Sequence, residues 1–207
     1  MIKTYKILSL LLSYPSGELQ EFLPDALQEL AGEKLLREEP LEEVGKFAAH
    51  FVKYDLIDWQ AGYVQLFDTG RSVSLYLFEH LRGDSKDRGQ AMVDLMEEYR
   101  QRGMVLSSDE LPDYLPVLLE FLSSLWPGEA AEMLAGAVNV ISLIHHRLAA
   151  KENFYRHLTG AVISLSAKAP DISAGSLPSA ETEPEDPDRD YEEPVTFTDA
   201  NTCFKCK

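Results

Sequence analysis

The chain has 207 residues, a net charge of −16 and only two cysteines. About 150 residues make one domain, so this length accommodates one domain plus an extension. A core of that size buries roughly 70% of the surface its unfolded chain exposes, so folding requires neither a metal nor a disulfide. With 35 acidic residues against 19 basic ones, the chain repels phosphate. That excludes sequence-independent nucleic-acid binding and disfavours an anionic membrane surface. A basic partner, or solubility alone, accounts for such a charge.

Lys3 and Lys6 precede an apolar run, Ile7 to Leu12, in the manner of a short signal peptide. Ser9 interrupts the run, Tyr14 and Pro15 close it, and no small-residue cleavage site follows, so it reads as the first core helix. Leu19, Phe22, Leu23, Ala26, Leu27 and Leu30 then mark one face of a helix, with Pro24 inside the pattern and able to start a second, shorter one. Pro40 opens the next helix, which carries Leu41, Val44, Phe47, Ala48, Phe51 and Val52 on one side. Asp58 is the expected N-cap of a helix with Trp59, Tyr63, Leu66 and Phe67, and Asp68-Thr69-Gly70 is expected to break or kink it.

The spacing of Leu75, Phe78 and Leu81 predicts a further helix ending at Gly83. Asp84 should cap another, with Met92, Leu95, Met96 and Tyr99 inward and its end at Gly103; both glycines stand where a left-handed residue follows a helix. Leu115, Leu118, Leu119, Leu122 and Leu125 predict a strongly apolar helix stopped by Pro127. Two more follow, one with Met133, Leu134, Ala137, Val138, Ile141 and Leu148, the other with Phe154, Leu158, Val162 and Leu165. No stretch alternates with period two, and no repeat of fixed length suggests a solenoid. The expected fold is all-α: one compact domain over residues 1–169, of roughly eight helices with short connections.

Composition changes at Pro170. Residues 170–207 hold ten acidic and three basic residues and five of the eleven prolines, which puts −7 of the net −16 there and leaves −9 on residues 1–169. Such a segment cannot bury enough apolar surface to offset its ordering entropy, and a disordered acidic tail is predicted. It ends in a CxxC, Cys203 to Cys206. One such pair is half of a tetrahedral zinc site, which a second tail in a dimer or a partner would have to complete. Otherwise the two thiols are incidental. Cysteines placed there cannot staple a core, so nothing points to an oxidising compartment. No apolar stretch approaches the ~20 residues that cross a bilayer, and a cytoplasmic address without membrane insertion is expected.

Catalytic patterns are missing: there is no phosphate-cradling glycine loop, no metalloprotease His-Glu pair and no nucleophile elbow. His145 and His146 are adjacent and diverge by about 100° on a helix. Glu79 and His80 are neighbours that cannot face one another on a helix. Two stretches stand out instead. Tyr63-Val-Gln-Leu-Phe67 runs into Asp68-Thr-Gly-Arg71, and Glu110-Leu-Pro-Asp-Tyr-Leu115 opens a helix, with Pro112 suited to a first turn and Asp113 near the positive end of the helix dipole. An apolar or aromatic rim beside a helix-start carboxylate suits a ligand with an apolar face and a basic end. A cap and a core stripe would leave the same spacing.

With these residues in view, the chain resembles the NarJ family of nitrate reductase assembly chaperones, within the wider TorD/DmsD-like group. The resemblance is carried by Tyr5 to Pro15 (YKILSLLLSYP), Tyr63 to Gly83 (YVQLFDTGRSVSLYLFEHLRG), Asp84 to Leu95 (DSKDRGQAMVDL) and Glu110 to Leu122 (ELPDYLPVLLEFL). The YxxLF and Pro-Asp elements belong to the wider group, and the run from Asp68 through Arg88 to the NarJ branch. The group commonly has His after the Pro-Asp; here it is Tyr114, which fits that branch.

The resemblance implies an all-helical chaperone with no catalytic turnover and no cofactor of its own. Its implied client is the apo catalytic α-subunit of a respiratory, membrane-bound nitrate reductase, bound through the subunit's N-terminal peptide. The client is held competent for molybdenum cofactor insertion until it docks at the membrane. Cofactor delivery proteins are further implied partners; the oligomeric state is left open. The residues carried over as peptide-binding are Tyr63, Leu66, Phe67, Asp68, Arg71, His80, Glu110, Pro112, Asp113 and Tyr114. Two other readings compete: a maturation chaperone for another molybdoenzyme of the dimethyl-sulfoxide reductase class, and a helical scaffold or regulatory module acting through its acidic tail.

Overall fold

The computed structural model describes residues 1–81, 85–106 and 110–171. Eight α-helices follow in chain order: α1 (Lys3–Leu12), α2 (Gly17–Glu33), α3 (Glu38–Phe51), α4 (Leu56–Tyr63), α5 (Ser85–Gln101), α6 (Leu115–Ser123), α7 (Pro127–Ala150) and α8 (Tyr155–Ser164). No strand occurs among the described residues; their β-type pairing is a single isolated bridge, Tyr76 to Tyr114. The all-α expectation holds. The expected tail, the CxxC, Gly83 and Asp84 lie outside the described residues.

The first helix lies at the centre. α1 packs on α6, α2 and α8, and Tyr5, Ile7, Leu8, Leu11 and Leu12 are buried around its circumference. Ser9, the polar interruption in that run, donates its hydroxyl to the carbonyl of Pro116 at 2.7 Å and so is satisfied inside the core. The backbone N–H of Ile2 reaches the carbonyl of Ser123 at 2.6 Å, fastening the amino terminus to the far end of α6.

α1 has no capping side chain of its own. The end of α2 supplies one. Glu33 accepts from Lys3 N at 2.9 Å, Thr4 N at 2.6 Å and the Thr4 hydroxyl at 2.6 Å. Burial pushes the Glu33 carboxyl upward, but the bonds from Thr4 and Lys3 outweigh it and leave it below its usual value. Because the folded state lowers this pKa, the stabilisation is complete above about pH 4.5 and is lost as pH falls through the lowered value. Glu33→Ala is expected to cost about 1–2 kcal/mol in urea unfolding at pH 7. The difference from wild type should shrink below pH 4; a difference that does not depend on pH would remove the cap from this account.

Several local expectations are corrected. Pro24 neither starts nor ends a helix; it sits exposed inside α2, where the carbonyl it leaves unpaired one turn back can take water. Asp55, not Asp58, caps α4, accepting from Ile57 N at 2.9 Å and Asp58 N at 3.1 Å. Leu75, Phe78 and Leu81 do not lie on an α-helix. Residues 71–81 instead form two short 3-10 turns, Arg71–Val73 and Leu77–His80, because their backbone pairs with the segment before α6. Met96 faces solvent, and only Tyr99 of the expected α5 stripe is fully buried. Gly103 has φ +82 and ends α5 as expected. Pro127 is the first residue of α7 rather than the stop of α6.

α7 is also longer and more apolar than expected. Its 24 residues are enough, by length and composition, to cross a membrane. In the fold it is a core helix. Leu134, Val138, Ile141, Ile144 and Leu148 are buried on one side, against α8 and α6, while Asn139 and His146 lie on the exposed side.

Candidate functional site

The two motif stretches are separated by about fifty residues of sequence, and the fold joins them. Tyr63 ends α4, and its hydroxyl donates to the carbonyl of Leu12 at 2.9 Å. That uses the one phenolic proton, so Tyr114 is the donor in the 2.8 Å bond between the two hydroxyls. Burial, together with the Tyr114 phenol, pushes the Tyr63 hydroxyl far above its ordinary value, and Tyr114 is pushed up to about 12, chiefly by burial. Both stay neutral, as a buried hydroxyl pair requires.

The helix then changes pitch. Val64–Asp68 form a π turn, closed by Thr69 N on the carbonyl of Val64 at 3.1 Å. This is the break expected at Asp68-Thr69-Gly70. Phe67 goes inward, edge-on to Tyr155 at 4.9 Å, while Leu66 stays half-buried at the surface.

Segment 71–81 is strapped across the start of α6. Leu77 N donates to the carbonyl of Asp113 at 3.0 Å and Leu115 N to the carbonyl of Leu75 at 2.9 Å. The second bond satisfies an orphan donor in the first turn of α6, which has no side-chain cap. Asp113 is fully buried; its Oδ2 accepts from Phe78 N at 2.9 Å, and its Oδ1 has no hydrogen-bond partner among the described residues. Burial raises its pKa against the opposing pull of the Phe78 N–H and Arg88. Pro112 is buried too, and its carbonyl accepts from the Tyr99 hydroxyl at 2.8 Å.

His80 closes the strap. One ring nitrogen lies 2.8 Å from the carbonyl of Ser74, the other 3.3 Å from the Arg147 guanidinium, which also donates to the carbonyl of Ser72 at 2.6 Å. The geometry makes Nε2 the donor and Nδ1 the acceptor, a neutral imidazole. Burial, and secondarily Arg147, lower its pKa accordingly. Glu79 is exposed, and no acid–base pair forms with it.

The carried-over residues therefore divide. Tyr63, Phe67, His80, Pro112 and Asp113 build the frame from inside. Leu66, Asp68, Arg71, Glu110 and Tyr114 reach the surface, fully or in part. The expectation that Asp113 presents its carboxylate to a ligand is corrected, since neither oxygen reaches solvent in this conformation. Tyr76, missed in the sequence, stacks near Tyr114 with ring centres 5.1 Å apart. Burial and the surrounding charges of Glu110, Asp68, Asp113 and Glu79 raise its hydroxyl, so this rim is acidic.

On the other side of the YxxLF element lies a cleft of about 250 Å³. α3 contributes His50 and Phe51, α4 contributes Asp58, Trp59, Gly62 and Tyr63, the π turn contributes Leu66, and the turn between α7 and α8 contributes Lys151 to Tyr155. Its floor is aromatic and rigid. Phe51 stacks on Trp59 at 4.5 Å, and the Trp59 indole donates to the Tyr155 hydroxyl at 2.9 Å. His50 stacks on Phe154 at 3.7 Å near the rim. Sequence spacing places Phe51, Trp59 and Phe154 on helix faces and says nothing of a shared cleft. No group of three or more His, Cys, Asp or Glu able to hold a metal occurs among the described residues, and Cys203 and Cys206 lie outside them.

The profile of the nitrate reductase delta subunit family matches residues 18–159, a span that holds every residue of this site. The nitrate reductase molybdenum cofactor assembly chaperone NarJ of Escherichia coli K12 is 41% identical over 165 residues, covering 80% of this chain and 70% of its own. The probable chaperone NarW of the same strain is 38% identical over 79% of this chain and 68% of its own. The probable chaperone NarJ of Bacillus subtilis is 30% identical over 78% and 86%. Helical fold, joined motif elements and these relatives agree, and the chain belongs to the NarJ family of nitrate reductase molybdenum cofactor assembly chaperones, which are assembly factors and not enzymes.

Proposed function

We propose that this chain binds the apo catalytic subunit of a membrane-bound nitrate reductase in the cytoplasm, through that subunit's N-terminal peptide. It keeps the subunit competent for molybdenum cofactor insertion and delays its docking at the membrane. The observation that carries the reading is the aromatic cleft beside the YxxLF element, on a body whose net charge is −9 over residues 1–169. An amphipathic peptide lays apolar side chains in such a groove and presents its basic residues to the acidic surround. Leu66 and Tyr63 wall the groove, Asp58 and Glu152 stand in its lining, and Asp68, Glu79 and Glu110 make the rim on the far side of the YxxLF element acidic. Phe67, Pro112, Asp113 and His80 act from behind, by fixing where α4, the strap and α6 meet.

Calorimetry of the full chain against the N-terminal peptide of the catalytic subunit tests this, with a scrambled peptide as control. Micromolar or tighter binding is expected for the native peptide and none for the scramble. Leu66→Ala should weaken binding about tenfold while the protein remains folded by circular dichroism, because Leu66 is only half-buried. Equal affinity for native and scrambled peptides would sink the reading.

A further inference from the structure

A glycine inside a helix is unfavourable relative to alanine, so its presence normally has a structural reason. Gly62, in the wall of the cleft, has none within the fold. Its φ is not positive, and a Cβ placed on it meets no heavy atom within 4 Å. Gly32, Gly45 and Gly136 are as unencumbered but do not line the cleft. Gly62 differs from them in what it faces.

The turn between α7 and α8 presents the reverse case. Glu152 holds φ +51 just past the end of α7, a left-handed position where glycine is free of strain and a side chain is not. Lys34 does the same at the end of α2, away from the cleft. Thus one lining position lacks a side chain that its helix would favour, and another carries a carboxylate that its turn disfavours. Asp58, on the same helix as Gly62, adds a second carboxylate to the lining. Lys151, the lysine in the lining, stands at the C-terminal end of α7, where the helix's own partial negative charge takes up part of its field.

The cleft's volume also matters. About 250 Å³ admits one or two side chains, not a helix some 10 Å across. A bound segment therefore rests on the rim and inserts anchors, and the depth they reach depends on how near its backbone comes to α4. A side chain at position 62 would hold that backbone away.

We infer that the main chain of the bound client segment comes against α4 at Gly62, with an apolar side chain in the aromatic cleft and a neighbouring basic side chain held by Asp58 and Glu152. This rests on the peptide-binding reading and goes beyond it in naming the contact point and the residue types recognised.

The test is calorimetry on the full chain with the same N-terminal peptide. Gly62→Leu is expected to bind about tenfold more weakly or worse, with a melting temperature equal to or above wild type; Gly62→Ala should fall between the two. Asp58→Asn combined with Glu152→Gln should also weaken binding about tenfold and flatten its dependence on salt. That loss should vanish with a peptide whose basic residues are replaced by glutamine. Wild-type affinity in Gly62→Leu, or an unchanged salt dependence in the charge variant, overturns the inference and leaves the peptide reading standing. Failure of the unmodified chain to bind the peptide overturns both.

Discussion

Phe47→Ala is expected to lower the stability of this chain by about 3–5 kcal/mol. Phe47 is fully buried at the junction of α3, α4 and α8. Its ring centre lies 4.7 Å from Phe51, 5.1 Å from Tyr155 and 6.2 Å from Trp59. Truncation removes the transfer free energy of the ring and leaves a cavity that three helices, pinned elsewhere, cannot close. Each lost aromatic pair adds about 0.5–1.5 kcal/mol beyond area. Urea unfolding measures it, with Phe47→Leu as a control that keeps most of the volume and should cost less. The effect reaches the cleft, because Phe51, Trp59 and Tyr155 are its floor. Peptide affinity should fall in Phe47→Ala even under conditions where the variant is fully folded. A loss under about 1 kcal/mol would mean that the aromatic lattice does not hold these helices together.

Asp113 offers the second large effect, and a comparison of two variants isolates it. Its carboxyl is fully buried, one oxygen bonded to Phe78 N and the other without a partner among the described residues. Burial raises its folded pKa above the unfolded value of about 3.9. Between those two values the folded state holds the proton more tightly than the unfolded state. Stability therefore declines as pH rises through that window, and the full cost of the buried charge is present at pH 7. Asp113→Asn keeps an acceptor for Phe78 and exchanges an unpartnered ionic oxygen for a neutral amide, which is cheaper to bury. It should match or exceed wild type at pH 7. Asp113→Ala strands the Phe78 N–H and should be less stable than the Asn variant by about 1–3 kcal/mol. Thermal melts from pH 4 to 7 would show wild type losing ground to the Asn variant as pH rises. Wild type gaining ground would mean the carboxylate is better solvated than its burial implies.

The helices that read clearly in the sequence are those whose apolar face is local. The stripes of α2, α3 and α8 are visible at intervals of three and four, and they are the faces buried in the fold. Residues 71–81 fail for the opposite reason. Leu75, Phe78 and Leu81 have helical spacing, yet the backbone bonds that decide their shape run to residues 113 and 115, which no local window contains. Asp58 was a reasonable cap by residue type, but the carboxylate three positions earlier has the geometry.

The site was half legible. The YxxLF and Pro-Asp elements stood out as residue types, and the hydroxyl pair between Tyr63 and Tyr114 that joins them is a property of the packed chain alone. The burial of Asp113 could not be read from its place before a helix, where an exposed cap would look the same. Gly62 passed unnoticed because a glycine matters there only once the open space beside it is known.

The central place of α1 has a consequence for synthesis. α1 is made before its main partner α6, and Ser9 meets Pro116 across a separation of 107 residues. At about 5–20 residues per second, that leaves α1 without its partner for on the order of 5–20 s on the ribosome. During that interval its apolar surface is open to the cell. An assembly chaperone built in this order is, while α1 waits for α6, a candidate client of general chaperones.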